Sequence, residues 1–126
     1  MPMLALVVAP HGELRDGLCA LLSTIPEIGV VSVTHNLGSA LELLADHCPA
    51  LAVLEIGALG ADHLAQVESM KVACPRTKIV ALVGHSEMVP GLEASGVDAI
   101  LMQGTEAHRL TETISVLLGS DNGHAD

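Results

Sequence analysis

The sequence predicts a doubly wound α/β sandwich, in which helices cover both faces of a parallel five-stranded sheet. Short apolar runs alternate five times with segments whose apolar residues recur at helical spacing. One run, 51–56, is apolar at five of its six positions, as in a strand buried on both faces. Because such alternation implies right-handed crossovers, we expect a (βα)5 chain with strand order 2-1-3-4-5.

Each expected element has its own signal. Strands are predicted at 4–8, 30–34, 51–56, 79–83 and 99–102, the second near a sheet edge because it is β-branched and only partly alternating. Helices are predicted from 13 to before Pro26, from a cap at Asn36 to Cys48, and from 64 to before Pro75. The fourth, within 84–96, should be short or broken by Pro90-Gly91, and the fifth should run from a cap at Thr105 to a stop at Gly119.

Length, composition and charge restrict the classes of protein to which this chain could belong. The 126 residues suit one domain, expected at 1–119 with a disordered polar tail at 120–126. No apolar run could span a bilayer, and the first residues lack the pattern of a secretory signal, so we expect a cytoplasmic protein. A formal charge of −10 with only five Lys and Arg argues against direct binding of nucleic acid or of an acidic membrane.

The three cysteines show no disulfide pattern. Cys19, Cys48 and Cys74 are odd in number, widely spaced, and fall at apolar positions of predicted helices. We therefore expect buried free thiols.

Glu55 is the candidate functional residue of the central strand. It is the one polar residue of the run 51–56, which the small-residue loop 57–61 follows. In an open parallel sheet this is the carboxyl edge, where binding and active sites form.

Several short stretches share one order and spacing: His11 with 15–18 and 20–22, then 26–28 with 30–31, then 40–44, and finally 96–98, within residues 3–118. Their order and spacing resemble the CheY-like receiver domain of two-component response regulators, most closely the NarL/LuxR subgroup that precedes a helix-turn-helix output domain. The resemblance implies a flavodoxin-like fold, a role in signal transduction, and a protein partner or a homodimer.

The resemblance also implies a phosphorylation site whose residues have all been replaced. In the family an aspartate accepts the phosphoryl group, two acidic residues hold Mg²⁺, and a hydroxyl residue and a lysine bind the phosphoryl oxygens. The aspartate corresponds to Glu55, the acidic pair to Ala9 and Pro10, the hydroxyl residue to Val83 and the lysine to Gln103. We expect a pseudo-receiver with no catalytic residue and no cofactor.

Two interpretations of Glu55 stay open. Its carboxylate, one methylene longer than that of aspartate, could imitate the phosphorylated state permanently. Alternatively, it is an ordinary polar residue at the mouth of a pocket that has lost its function.

Other chemistry has weaker support. His11, Glu55 and His85 follow three different strands and would meet at one sheet edge, but no two histidines have ligand spacing, so no metal site is predicted. No nucleophile elbow or glycine-rich phosphate loop occurs, so no enzymatic activity is predicted, although an unknown enzyme on this fold stays as a third hypothesis.

The predicted function is signalling by phosphorylation-independent protein–protein interaction, in the regulatory half of a transcriptional regulator. The resemblance assigns the interaction surface to the fourth helix, fifth strand and fifth helix. This surface comprises Met88, Val89, Leu92, Ile100, His108 and Arg109, and the alternative is that these residues complete the core. The alternative is a receiver that senses a small ligand or a metal in the vacated pocket.

Overall fold

A computed structural model describes residues 3–10, 12–56 and 62–123. The strands are β1 (Met3–Val8), β2 (Ile28–Thr34), β3 (Leu51–Glu55), β4 (Lys78–Val83) and β5 (Ala99–Met102). All four pairings are parallel and the order is β2-β1-β3-β4-β5, so the predicted fold and strand order are confirmed.

The helices are α1 (Glu13–Leu22), α2 (Leu37–Leu44), α3 (Asp62–Ala73), α4 (Val89–Ser95) and α5 (Ala107–Gly123). The predicted cap of α2 is present, since Asn36 Oδ1 accepts a hydrogen bond of 2.8 Å from the Ser39 backbone N–H. A 3-10 turn at Ser86–Met88 precedes the seven-residue α4, whose proline lies in its first turn, where the missing N–H costs little. The short fourth helix is therefore confirmed.

Two hydrophobic layers enclose the sheet. Helices α2, α3 and α4 cover one face, and α1 and α5 cover the other. Successive residues of β3 alternate between the layers: Ala52 and Leu54 face the first, and Leu51 and Val53 the second. All four are fully buried, which explains why this strand has an unbroken apolar run.

Several predicted helix boundaries are wrong. Helix α1 ends at Leu22 rather than just before Pro26. Helix α2 ends at Leu44 rather than Cys48. Beyond Leu44 the backbone forms a 3-10-type turn, in which the Asp46 N–H donates to the carbonyl three residues earlier, that of Leu43, at 3.1 Å. Helix α5 begins at Ala107, two residues after the expected cap. It also passes the expected stop at Gly119 and continues to Gly123. The predicted disordered tail, 120–126, is thus helical as far as Gly123, and residues 124–126 lie outside the described residues.

The prediction of three buried free thiols is also wrong. Cys48 and Cys74 form a disulfide, with Cα atoms 5.6 Å apart. Cys48 lies on the exposed connection after α2, Cys74 is 1% exposed beyond the end of α3, and Cys19 is free and half-buried. The cysteines meet because each lies on the connection that leads into one of two adjacent strands, β3 and β4.

Candidate functional site

Glu55 is the last residue of the central strand, at the carboxyl edge as predicted. Its register partner is Leu82, the next-to-last residue of β4. The residue is only 7% exposed, although its side chain is a carboxylic acid. A polar group that is so deeply buried needs hydrogen-bond partners, because its burial without them lowers the stability of the folded state by about 1–3 kcal/mol.

Gln103 supplies one such partner. Its side-chain Nε2 donates a hydrogen bond of 2.6 Å to Glu55 Oε1. The backbone N–H of Gln103 donates to the carbonyl of Val83 at 2.8 Å, which extends the β4–β5 ladder by one residue. This bond fixes the backbone position from which the Gln103 side chain extends. The side-chain bond joins the end of β3 to the end of β5 and passes over β4, which lies between them. The structure therefore brings together two of the predicted site residues, 48 positions apart.

The other predicted site residues offer no side-chain oxygen. Ala9 is 2% exposed and packs with the layer of α1 and α5, and its backbone N–H donates to the Thr34 carbonyl at 3.0 Å. Pro10 is exposed. Val83 is fully buried in the layer of α2, α3 and α4, so its side chain is a core group and does not line an open pocket. The side chains at these three positions can provide neither metal ligands nor a phosphoryl-binding hydroxyl group.

No metal centre is apparent in the described part of the chain. Within residues 3–10, 12–56 and 62–123, no three His, Cys, Asp or Glu side chains are grouped so that they could hold an ion. His85 is exposed, at the start of the turn before α4. His11 and the loop 57–61 lie outside the described residues.

The predicted interaction surface is only partly available to a partner. Met88, Val89 and Ile100 are half-buried at the edge of the core, and His108 and Arg109 are exposed. Leu92, by contrast, is fully buried, so its assignment to this surface is wrong. It lies on the inner side of the short α4, where it packs in the core with α2 and α3.

Two grooves flank strand β5. One, of about 470 Å³, runs along α4 and β5 and is lined by Val89, Glu93, Val97, Asp98, Ala99, Ile100 and Met102. The other, of about 530 Å³, lies between α1 and the start of α5, and Gln103 and Met102 form part of its wall. Its remaining lining is mostly apolar, with Leu14, Leu18, Leu21 and Leu110 among the contributors. No sequence pattern indicates this second groove, because its walls come from segments about 90 residues apart in the chain.

Comparison with known proteins agrees with this architecture. No family model matches the sequence. Response regulator protein VraR of Staphylococcus saprophyticus is 29% identical over 117 residues, which are 90% of this chain; the chain spans 56% of the length of that relative.

Solved structures show the same fold. A LuxR family DNA-binding response regulator from Silicibacter pomeroyi superimposes with a TM-score of 0.78 at 22% identity, covering 94% of this chain and 93% of that one. The isolated REC domain of RcsB from Salmonella enterica serovar Typhimurium, determined with the phosphomimetic BeF3⁻, has a TM-score of 0.79 at 13% identity, with 93% and 88% covered.

The strand order and the helical layers are those of the receiver fold, as the sequence predicted. The chain is thus similar in fold to receiver domains of response regulators, and similar in sequence to a response regulator.

Proposed function

We propose that this chain is a pseudo-receiver, which signals through protein–protein contact without accepting a phosphoryl group. The observation that carries the proposal is the hydrogen bond between Glu55 and Gln103. In the receiver family the corresponding positions hold the phosphoryl-accepting aspartate and a lysine. Here an amide donor contacts a carboxyl group directly, and the neighbouring Ala9, Pro10 and Val83 lack the oxygens that Mg²⁺ and phosphoryl binding require.

Electrostatics supports the same proposal. A carboxylate nucleophile approaches a phosphoryl group only when a cation compensates both negative charges. Gln103 brings no charge, and the described residues next to Glu55 bring no acidic pair for a metal. Among the described residues, the phosphoryl-transfer step therefore has no cation or metal site to compensate its negative charges.

Acetyl phosphate tests this proposal. The wild-type chain, incubated with acetyl phosphate and Mg²⁺, should show no acid-labile phosphoryl group by intact-mass spectrometry. The matched control is a chain with the family's residues restored, carrying Ala9→Asp, Pro10→Asp, Glu55→Asp, Val83→Thr and Gln103→Lys. Phosphorylation of the wild-type chain at Glu55 would overturn the proposal.

We further propose that the bond from Glu55 to Gln103 holds the domain in one signalling state. It links the central strand to β5, whose residues Ile100 and Met102 line the groove beside α4. Glu55→Gln, Glu55→Ala and Gln103→Leu should each shift the backbone NMR resonances of 99–102 and 107–109. Spectra that change only next to the mutated residue would contradict this role.

The proposed output is contact with a protein partner or a second copy, through the surface formed by Met88, Val89, Ile100, His108 and Arg109. The groove of about 470 Å³ and the 43% exposure of Met102 support it. Met102→Glu should reduce self-association in sedimentation velocity, whereas Val72→Glu, at an exposed position of α3 outside the groove, should not. A monomeric wild-type chain would leave a separate protein as the only partner consistent with this surface.

The similarity to DNA-binding regulators and the 56% coverage of VraR support a further proposal, that the chain is the regulatory half of a cytoplasmic transcription regulator. None of the described helices combines the length and apolar character that a bilayer crossing requires. DNA binding would then reside in another domain, because this one carries a formal charge of −10.

A second candidate function is sensing of a small apolar ligand. The groove of about 530 Å³ favours it, because its size and mostly apolar walls suit such a molecule and its rim includes Gln103, the partner of Glu55. A screen of apolar ligands by NMR should then perturb the Gln103 side-chain amide together with the Leu14 and Leu110 methyl groups. The ligand would then bind in this groove and not at Glu55, and the contact between Gln103 and Glu55 would respond to its binding.

A further inference from the structure

The disulfide between Cys48 and Cys74 joins an exposed residue to a buried one. The Cα atoms are 5.6 Å apart, within the range of about 4.4–6.8 Å that disulfides normally span. Cys48 is exposed on the connection into β3, whereas Cys74 is 1% exposed and packs with Leu44 and Met70 in the same core layer. Only one of the two cysteines is therefore exposed to solvent.

Hydrogen bonds hold the two cysteines near each other independently of the disulfide. The Thr77 hydroxyl donates to the Pro49 carbonyl at 2.6 Å, in a fully buried contact. The backbone N–H of Thr77 donates to the Cys74 carbonyl at 3.1 Å, and that of Lys78 to the Ala50 carbonyl at 3.0 Å. These bonds tie the residue after Cys48 to the turn after Cys74, so the two thiols should stay within bonding reach when they are reduced.

We propose that Cys48 and Cys74 are a redox modification site, a dithiol that an oxidised low-molecular-weight disulfide such as glutathione disulfide converts to the bonded form. The proposal rests on the cytoplasmic location proposed above, since disulfides in reducing compartments are usually transient or redox-sensing, which suits a pair that hydrogen bonds should keep together without the bond. This site is distinct from the edge that carries Glu55. The bonded pair lies at the amino-terminal ends of β3 and β4, and Glu55 at the carboxyl-terminal end of β3.

The exchange proceeds in two balanced steps. The thiolate of Cys48 attacks one sulfur of glutathione disulfide, forming a mixed disulfide and releasing one glutathione thiolate, which takes up a proton. Cys74, after losing its proton, attacks the Cys48 sulfur and expels the second glutathione. Two cysteine thiols have then been oxidised to one disulfide, and one glutathione disulfide has been reduced to two thiols.

The bond closes a segment that contains the functional strand. Residues 48–74 include β3 with Glu55 at its end, and helix α3. A cross-link over 26 residues limits the freedom of the unfolded chain, so oxidation should raise thermal stability, by about 5 °C or more. The redox state would thereby control the stability of this segment against unfolding.

The test equilibrates the full 126-residue chain carrying Cys19→Ser in a series of glutathione buffers, followed by acid quench, alkylation and intact-mass spectrometry. We expect a reversible transition between two alkylated thiols and none, and a lower melting temperature for the reduced form in circular dichroism. Retention of two free thiols at the most oxidising ratio would overturn the proposal, as would a bond that persists in the most reducing buffer with the protein folded.

Trapping variants test the assignment of the exposed thiol. With Cys19→Ser as background, Cys74→Ala should accumulate a glutathione mixed disulfide at Cys48, whereas Cys48→Ser should leave Cys74 unmodified in the folded protein. Equal modification of both variants would overturn the assignment.

Thr77→Val tests the role of the hydrogen bonds, because it removes the hydroxyl and keeps the side-chain shape. The equilibrium constant for disulfide formation should fall several-fold relative to the parent. An unchanged constant would contradict the proposed preorganisation.

Discussion

Gln103 carries no charge, yet its amide group is a partner for a carboxyl group that is almost fully buried. A neutral donor can satisfy a carboxyl oxygen, but it cannot balance a second negative charge brought by a phosphoryl group. At the scale of single residues, the contact between Gln103 and Glu55 is therefore a structural one, without the positive charge that a lysine would bring. Asp98 has a comparable structural role, since its Oδ2 accepts from Lys71 Nζ at 2.7 Å and from the Ile79 backbone N–H at 2.8 Å.

The hydrogen bond to Glu55 should be measurable as stability. Gln103→Leu should lower the free energy of unfolding by about 1–2 kcal/mol, since a buried acceptor loses a donor. Gln103→Lys keeps a donor and adds an opposite charge, so it should retain the wild-type value or exceed it. Urea denaturation followed by circular dichroism measures both, and equal stability of the Leu variant and the wild type would show that the bond contributes nothing.

Asp98 should matter more through the backbone than through its ion pair. Asp98→Ala should cost about 2 kcal/mol because it leaves the Ile79 N–H without this acceptor. Asp98→Asn retains an acceptor oxygen and loses the ion pair, whose side chains are 25% and 22% exposed, so about 1 kcal/mol or less is expected. The same urea experiment distinguishes them, and an Asn variant as unstable as the Ala variant would assign the stabilisation to charge instead.

At the scale of the elements, two glycines near the expected ends of helices behave in opposite ways. Gly96 ends α4 with a left-handed φ of 98°, and a Cβ there would meet Lys71 Cγ at 3.4 Å. Gly119 has no left-handed φ and lies inside α5, with open space around the position of a Cβ. A glycine stops a helix only when the chain adopts the left-handed conformation there, which explains why α5 passes the predicted stop.

The two positions should respond to alanine with opposite signs. Gly96→Ala should destabilise the domain by about 1 kcal/mol, since an L side chain strains the left-handed conformation. Gly119→Ala should stabilise it by up to about 1 kcal/mol through helix propensity. Melting temperatures of the two variants and the wild type provide the measurement, and a destabilising Gly119→Ala would mean that α5 does not persist beyond that residue in solution.

At the scale of the whole molecule, charge is the dominant property. Fifteen Asp and Glu against five Lys and Arg give a net formal charge of −10, and its self-repulsion opposes the compact state. Salt screens such repulsion over distances of about 10 Å at 0.1 M ionic strength.

We therefore expect a salt-stabilised domain. Raising NaCl from about 0.05 M to about 0.5 M should increase the melting temperature by a few degrees, because screening of the repulsion outweighs loss of the few ion pairs. Sucrose at matched osmolality serves as the control for general exclusion effects. A melting temperature that falls with salt would indicate that attractive pairs dominate.

The sequence by itself determined the layered α/β fold and the place of Glu55, because the apolar periods of strands and helices are local and each carboxyl end of a parallel strand reaches the same edge. Only the tertiary structure decided which groups meet there and elsewhere. The bond from Gln103 to Glu55, the pairing of Cys48 with Cys74 and the burial of Leu92 all join segments distant in sequence. Such contacts depend on how neighbouring strands and helices pack, and this packing cannot be predicted from the local pattern of residues.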